Sequence, residues 1–130
     1  MNCEGEVYFA LYGDFEPESL FLGVAATRTK KRGDPTPKQS WWIYSSGKIH
    51  GGVIDVYELG DSLISALEPH AAAIVEVKQR LSLEAILQVV LKLPAAAGAS
   101  TPAIGFSSDV VSFLNKVGAS IDVDTYIGES

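Results

Sequence analysis

The sequence predicts an α+β fold, a ferredoxin-like sandwich in which a mainly antiparallel four-stranded sheet carries helices packed on one face. Four β-prone stretches are separated by segments with helical signals, in the order strand, helix, strand, long helical segment, strand, helix, strand. With 47% hydrophobic and 20% charged residues, a chain of 130 residues can bury one core. Residues 1–130 are therefore expected to form a single domain.

The first predicted strand covers Val7 to Tyr12, and both of its faces are apolar, which is typical of a central strand. Proline at the first helical position and flanking acids then predict a short helix from Pro17 to Leu22, with Gly23 as its C-terminal stop. The segment from Val24 to Ser40 is predicted to be mostly loop, because two prolines and a glycine fall within five of its residues.

The second predicted strand, Trp41 to Ser46, is followed by a flexible glycine-rich connection over residues 47–52. A capping box, Asp55 to Glu58, then predicts the start of a helix. Helical spacing continues to Pro69, where the helix either ends or gives way to a second helical segment that runs through Arg80.

A strict period-two pattern from Leu83 to Leu93 predicts the third and longest strand, with one face fully buried. We expect Leu87, Val89 and Leu91 to lie in the core, because an apolar row of this length is unfavourable in water. The run of small residues from Ala95 to Pro102 is predicted to be a loop.

The last predicted elements are a helix and a strand. Ser107 to Asp109 caps the helix and Gly118 ends it. Its core stripe consists of Val110, Phe113, Leu114 and Val117. Ser120 to Ile127 is the last strand, in which Asp122 and Asp124 share one face.

Nothing near the start of the sequence suggests export. Residues Met1 to Gly5 lack the basic and apolar regions of a signal peptide, and no apolar run approaches the roughly 18 residues of a membrane span. Cys3 is the only cysteine, so no intrachain disulfide can form, which fits a reducing compartment. We expect a cytoplasmic protein with no membrane partner, in which Cys3 is an exposed thiol near a frayed terminus rather than a nucleophile.

Charge is distributed unevenly along the chain, whose formal net charge is −6. The segment between Ser19 and Ile54 holds six basic residues and one acid, a net +5, whereas the rest holds four basic residues and fifteen acids, a net −11. This asymmetry favours either polar association of two copies or the docking of an anionic partner. The net charge of −11 on the rest of the chain argues against nucleic-acid binding.

The candidate site is the stretch from Thr27 to Ser46, a basic loop that leads into a strand with both tryptophans. Arg28 is the expected anchor, because a guanidinium can bind a carboxylate or phosphate through two hydrogen bonds. The lysines contribute mainly a positive electrostatic potential. His50, beside glycines and Lys48, is added as a candidate ligand or catalytic residue. The predicted partner-binding residues are Arg28, Lys30, Lys31, Arg32, Trp41, Trp42, Tyr44 and His50. The alternative is that the loop is a solvated, mobile turn.

The two adjacent tryptophans predict a homodimer. Trp41 and Trp42 must point to opposite faces of their strand, whereas a two-layer fold covers only one face of a sheet. One aromatic face therefore needs a cover, and a second copy of the chain can provide it.

Short motifs over nearly the whole chain resemble those of a known family. They are Gly13-Asp14, Pro17-Glu18, Leu22-Gly23, Thr27-Arg28-Thr29, Gly33-Asp34, Trp42 with Ser45-Ser46, Leu67-Glu68-Pro69 and Asp122-Val123-Asp124-Thr125-Tyr126. Through them the chain resembles the bacterial family of unknown function numbered 4279, although Ala26 stands where that family has a proline. The resemblance implies a small bacterial α+β domain with no catalytic residues to transfer. It also makes Trp42, with Tyr44, the core partner. Trp41 and Ile43 are then more exposed, although the apolar side chain of Ile43 favours burial.

Enzymatic motifs are incomplete. A phosphate-binding loop would need glycine in place of Trp42 and serine or threonine in place of Ile49. Gly105 to Asp109 matches a nucleophile elbow except at its last position, so its serine is interpreted as a helix cap. The two histidines have no second histidine or cysteine at ligand spacing, so neither a metal nor a cofactor is predicted. Asp122 and Asp124 could form an acid/base pair, but an exposed strand face explains them more simply.

The sequence therefore predicts a non-catalytic interaction module, of an immunity or regulatory type, that binds a protein partner or a second copy of itself. The alternative is a small-ligand binder or an enzyme with a cleft beside Tyr8, Trp42, Tyr44 and His50. Nucleic-acid binding through the basic loop is a third hypothesis, disfavoured by the acidic remainder of the chain.

Overall fold

The fold combines one six-stranded sheet with three α-helices, in a computed structural model that describes residues 3–33, 36–94 and 103–128. The elements are β1 (Cys3–Gly13), β2 (Arg28–Lys30), β3 (Ser40–Ser45), β4 (Ile49–Gly51), α1 (Val56–Leu67), α2 (Ala71–Leu81), β5 (Glu84–Pro94), α3 (Ser108–Val117) and β6 (Ser120–Gly128). The strand order is β2-β3-β1-β5-β6, with β4 also paired to β1. All pairs are antiparallel except that of β5 and β6. The prediction of an α+β fold with a mainly antiparallel sheet is confirmed.

The strands β1 and β5 form the centre of the sheet, as their apolar patterns predict. They are antiparallel neighbours along most of their length. Leu87, Val89 and Leu91 are fully buried, so the predicted strand and its burial are confirmed. The strand β1 begins earlier than predicted, and the expectation of an exposed thiol at Cys3 is wrong because that side chain is buried. Pairing of Cys3 with Gly51 of β4 fixes this end of the strand.

The ferredoxin-like arrangement of four strands is not confirmed. In a split βαβ unit another strand separates the two parallel strands. Here β5 and β6, which precede and follow α3 in the sequence, are direct parallel neighbours in the sheet. The strands β2 and β4 lie where a loop and a flexible connection were expected. Each has three residues, too few for a periodic pattern to reveal it. The loop predicted from Ala95 to Pro102 lies outside the described residues.

The strands β3 and β4 lie one after the other along the same side of β1. The former pairs with the C-terminal half of β1, and the latter pairs with its first residues. The interruption between them contains Gly47, whose φ of +83° is readily adopted only by glycine. This interruption brings Ser45 and Lys48 next to the N-terminal half of β1.

Capping side chains define the helix ends. The backbone N–H of Glu58 donates to the Asp55 side chain at 3.1 Å, and the Ser107 hydroxyl accepts a similar bond at the start of α3. Gly118, with φ of +69°, ends α3 as predicted. At Pro69 the second alternative is correct, since a short 3-10 turn joins α1 to α2. Among the described residues, no helix has the length and apolar character needed to cross a membrane.

The helix predicted from Pro17 to Leu22 is wrong in extent. Only Pro17–Ser19 is helical, as a single 3-10 turn, and Leu22 is instead buried in the core. No side chain caps this turn. Because forming a first helical turn is unfavourable without such support, the segment stays short.

The helices pack on one face of the sheet. Their buried side chains join a core cluster with alternate residues of the central strands, and the Phe9 and Phe113 rings meet edge to face with centroids 5.8 Å apart. Trp42 is buried in this cluster and Tyr44 packs against it, as expected. The expectation of a more exposed Ile43 is wrong, since it is 1% exposed on the opposite face.

Candidate interaction surface on the open face of the sheet

The candidate surface is the face of the sheet opposite the helices, here called the open face. It comprises the even-numbered residues of every strand except β3, and the odd-numbered residues of β3, because side chains alternate along each strand and stay on one side across the register. The helices of the described chain direct their buried side chains to the other face. The open face is therefore the part of the sheet where polar chemistry can meet a partner.

A carboxylate, a guanidinium and a hydroxyl form a network on the open face. Arg28 Nη1 donates to Glu6 Oε2 at 2.7 Å, and Ser45 Oγ donates to the same oxygen. The Glu6 side chain is 8% exposed, whereas that of Arg28 is 40% exposed. The guanidinium carbon also lies 5.2 Å from the centroid of the Tyr8 ring, a cation–π distance. Glu6 is thus a nearly buried charge whose partners come from β2 and β3.

These surroundings fix the protonation states of Glu6 and Tyr8. Burial acts to raise the pKa of Glu6, but hydrogen bonds from Arg28 and Ser45 lower it below its ordinary value of 4.5. The positive charges of Arg28 and Lys48 act in the same direction. Burial raises the pKa of Tyr8 above its ordinary 10.0, and the Arg28 charge offsets only part of that rise. At neutral pH the network therefore holds a carboxylate beside a neutral phenol.

A shallow pocket of about 270 Å³ adjoins the network. Its lining residues are Glu4, Gly5, Glu6, Tyr8, Arg28, Lys48, Val90 and Lys92. Lys48 and Lys92 are exposed and approach from opposite sides of β1, the first from the β3–β4 interruption and the second from β5. Among the lining side chains alone, Glu6 neutralises Arg28, so the two lysines and Glu4 leave one net positive charge. The pocket can therefore contact an anionic group from two sides.

An aromatic pair lies towards the other end of the open face. Tyr12 and Trp41 are opposite each other in the register, and their rings stack with centroids 4.5 Å apart and planes inclined by 19°. Lys30 is opposite Trp41 on the next strand. A flat aromatic surface beside a cation is a combination found in protein interfaces. This group is here called the aromatic platform.

The structure brings only part of the predicted partner-binding set together. Four of the predicted residues lie on the open face: Arg28, Lys30, Trp41 and His50. Trp42 and Tyr44 lie on the helix-covered face instead. The structure therefore does not place these two side chains in one cleft with His50.

Lys31 and Arg32, which follow β2, already face carboxylates of their own chain. Lys31 Nζ lies 3.0 Å from Glu16 Oε2, and Arg32 Nη1 lies 3.5 Å from Asp14 Oδ2. All four side chains are well exposed, so these ion pairs are weak and can exchange with other anions. The positive charge predicted from the sequence is thus partly neutralised by acids from outside the basic stretch.

The predicted partner-binding set omitted several residues that form this surface: Glu6, Tyr12, Ser45, Lys48 and Lys92. One signal was present, because an acid next to a strand with two apolar faces needs a cation when it is buried. The identity of that cation was hidden, since Arg28 reaches Glu6 only through the unpredicted strand β2.

A larger groove of about 680 Å³ lies between α1 and α3 on the helical side. Across it, Ser107 donates to Asp61 and Lys116 donates to Glu68, in exposed hydrogen bonds. These polar groups satisfy one another, and Ser107 also caps α3. Helix packing and capping account for the groove, so the smaller pocket on the open face is the stronger functional candidate.

Together these features define a small α+β protein whose mostly antiparallel sheet is covered by helices on one face and carries, on the other, an ion pair whose carboxylate is nearly buried. The chain belongs to the family described as Domain of unknown function (DUF4279), whose profile matches residues 2–128. The resemblance drawn from short motifs is therefore confirmed. No curated protein and no solved structure matches the chain.

Proposed function

We propose that the protein is a non-catalytic interaction module that binds an acidic segment of a protein partner on its open face. The observation that carries this proposal is the position of Lys48 and Lys92 around one pocket, together with the Arg28–Glu6 pair that lines it. Ammonium groups on two sides attract a carboxylate and orient it. In a chain with a net charge of −6, this local positive charge directs an acidic partner to one surface.

The aromatic platform favours an extended peptide segment as the ligand rather than a single small anion. Glu6 of the pocket and Tyr12 of the platform are six residues apart on β1, a separation of roughly 20 Å along a strand. An extended segment of about six residues covers that distance. Carboxylates at one end of the segment can meet Lys48, while its other end contacts Trp41 and Lys30.

The protonation states favour binding over catalysis. A general acid or base works best with a pKa near the working pH, whereas here the pKa of Glu6 is lowered and that of Tyr8 is raised. One carboxylate oxygen of Glu6, Oε2, accepts hydrogen bonds from both Arg28 and Ser45, which hold the group in its charged form. These groups are arranged to hold charge in place rather than to transfer protons.

Amide chemical-shift mapping with a hexaglutamate peptide tests the proposal. We expect shifts at Lys48 and Lys92 that weaken as salt is added, and none with hexalysine. Lys48→Glu should weaken hexaglutamate binding by about tenfold, since it replaces attraction with repulsion at the pocket. Lys116→Glu is the matched control, because it makes the same charge change between the helices.

Two results would contradict the proposal. Shifts that cluster around Lys116 rather than Lys48 would place the acidic segment on the helical side. Equal weakening by the two substitutions would show that net charge, and not the open face, controls binding.

A further inference from the structure

The edge strand β6 has the properties of a pairing surface. It pairs with β5 on one side, and no strand of the described chain pairs with its other side. Backbone N–H and C=O groups on that outer side are therefore open to another strand. The opposite edge strand, β2, is protected, because it has only three residues and two of them are Arg28 and Lys30.

The sequence of β6 has little of the usual protection of an edge beyond the two carboxylates of Asp122 and Asp124. Its nine residues, Ser120–Gly128, include no proline, lysine or arginine. Two of its large side chains are well exposed, Tyr126 at 53% and Ile127 at 70%. A long edge with exposed apolar side chains is suited to pairing with another chain.

We propose that β6 of one copy pairs antiparallel with β6 of a second copy, around a two-fold axis that passes through Thr125. Each Thr125 then faces its equivalent, Asp124 faces Tyr126, and Val123 faces Ile127. The homodimer expected from the two tryptophans is thereby assigned to a different surface, since Trp41 is already stacked on Tyr12. This dimer does not depend on the segment proposed for the open face.

Repulsion between aspartates disfavours other symmetric registers of the β6 pair. An axis through Val123 would set Asp122 opposite Asp124 twice. An axis through Asp124 would set the two copies of that carboxylate directly opposite each other. Like charges in such positions are destabilising. The β6 sequence therefore opposes both of these alignments.

The axis through Thr125 also gives the longest pairing without opposed charges. It joins the seven residues from Asp122 to Gly128 in each copy, whereas an axis through Tyr126 joins five. Val123 already packs against the core, so its contact with Ile127 extends the apolar surface beside the helices. The contact is isologous and closes at two copies, and it makes the two open faces continuous.

Sedimentation velocity over a range of concentrations tests for the dimer. Thr125→Lys places two ammonium groups opposite each other on the axis, so it should raise the dimer dissociation constant by at least about tenfold. Val111→Lys is the control, because it puts the same charge on an exposed position of α3 and should leave the constant unchanged. Circular dichroism establishes that both variants are folded.

Cysteine cross-linking tests the register. The only native cysteine, Cys3, is buried and should not react with the reagent, so cross-linking reports on the introduced cysteines alone. With a short bifunctional thiol reagent, Thr125→Cys should cross-link with itself. Val123→Cys and Ile127→Cys should each fail alone, because equivalent positions are roughly 13 Å apart along the strands. The two should cross-link when mixed.

Salt separates this dimer from the acidic-segment interaction. The two Asp124 residues lie diagonally, roughly 7–8 Å apart, so added salt should tighten the dimer while it weakens hexaglutamate binding. The inference is overturned by a monomer of 13.9 kDa at all concentrations, by a dimer that Thr125→Lys leaves intact, or by cross-linking of Val123→Cys with itself. Assemblies that keep growing beyond two copies would also overturn it.

Discussion

The two faces of the sheet bury side chains by different means. On the covered face, Phe9 and Leu87 are enclosed by the helices. On the open face, Ala10 and Ile43 are equally buried although the described helices pack on the other side. Their neighbours on the open face include long side chains such as Arg28, which can cover apolar surface with their stems while their polar ends meet water.

This difference shows how one sheet can combine a rigid base with a polar surface. The covered face is stabilised by burial of uncharged apolar side chains, so its contribution to stability does not change with protonation. The open face depends on an ion pair and hydrogen bonds around Glu6, whose strength varies with protonation. Substitutions on the two faces should therefore differ in size and also in their dependence on conditions.

The largest effect is expected on the covered face. Leu87→Ala removes a fully buried side chain from the central strand β5, and it should lower the free energy of unfolding by about 2–5 kcal/mol. Urea denaturation measures this loss, with Val111→Ala on the exposed side of α3 as the control. A loss far below 2 kcal/mol would contradict the burial of this strand.

A smaller and pH-dependent effect is expected on the open face. Glu6→Gln removes the charge that binds Arg28 and should lower the free energy of unfolding by about 1–3 kcal/mol at neutral pH. The pKa of Glu6 is lower in the folded chain than its ordinary value of 4.5, so its contribution is present above that pH. The contribution is lost as pH falls through the folded pKa. Unfolding measured from pH 7 to pH 3 should show the two proteins converge.

The control for this prediction is another ion pair on the same chain. Glu16→Gln removes the partner of Lys31, and both side chains are well exposed, so the loss should stay below about 1 kcal/mol. If Glu6→Gln cost the same at every pH, the carboxylate would not be the stabilising group. If it cost no more than Glu16→Gln, the burial of Glu6 would have no energetic consequence.

Much of the covered face could be predicted from the sequence, because its signals are local. The apolar pattern around Leu87 identified β5, and the capping residues Asp55 and Ser107 identified two helix starts. Each of these signals lies within a few residues of its consequence. Propensity, periodicity and capping therefore agreed with the tertiary structure there.

The open face could be predicted only in part, because its contacts join distant segments. Arg28 was singled out as an anchor for a partner, and that role stays a prediction. Its intrachain partner Glu6 lies 22 residues away and is reached through a strand too short to recognise. Ile43 was expected to be exposed because Trp42 and Tyr44 were assigned to the opposite, core-facing side of the strand. Its burial depends instead on side chains from the adjacent strands β1 and β2. Such pairings follow from the register, which local patterns do not specify.

The smallest effect on stability is expected for charge reversal of Lys30, Lys31 and Arg32 to glutamate. These side chains are exposed, and two of them form only exposed ion pairs, so each change should cost less than about 1 kcal/mol. Hexaglutamate binding should nevertheless weaken in a salt-dependent way, because Lys30 adjoins the aromatic platform.

The control variant reverses the charges of Lys78, Arg80 and Lys116. It changes the net charge equally, but its three positions lie on the helices. Unchanged hexaglutamate affinity of the first variant at low salt would show that these three side chains are solvated charges with no part in binding. The dimer through β6 should survive in both variants, since neither changes that edge, so loss of the dimer in the first variant alone would instead place self-association at the basic stretch.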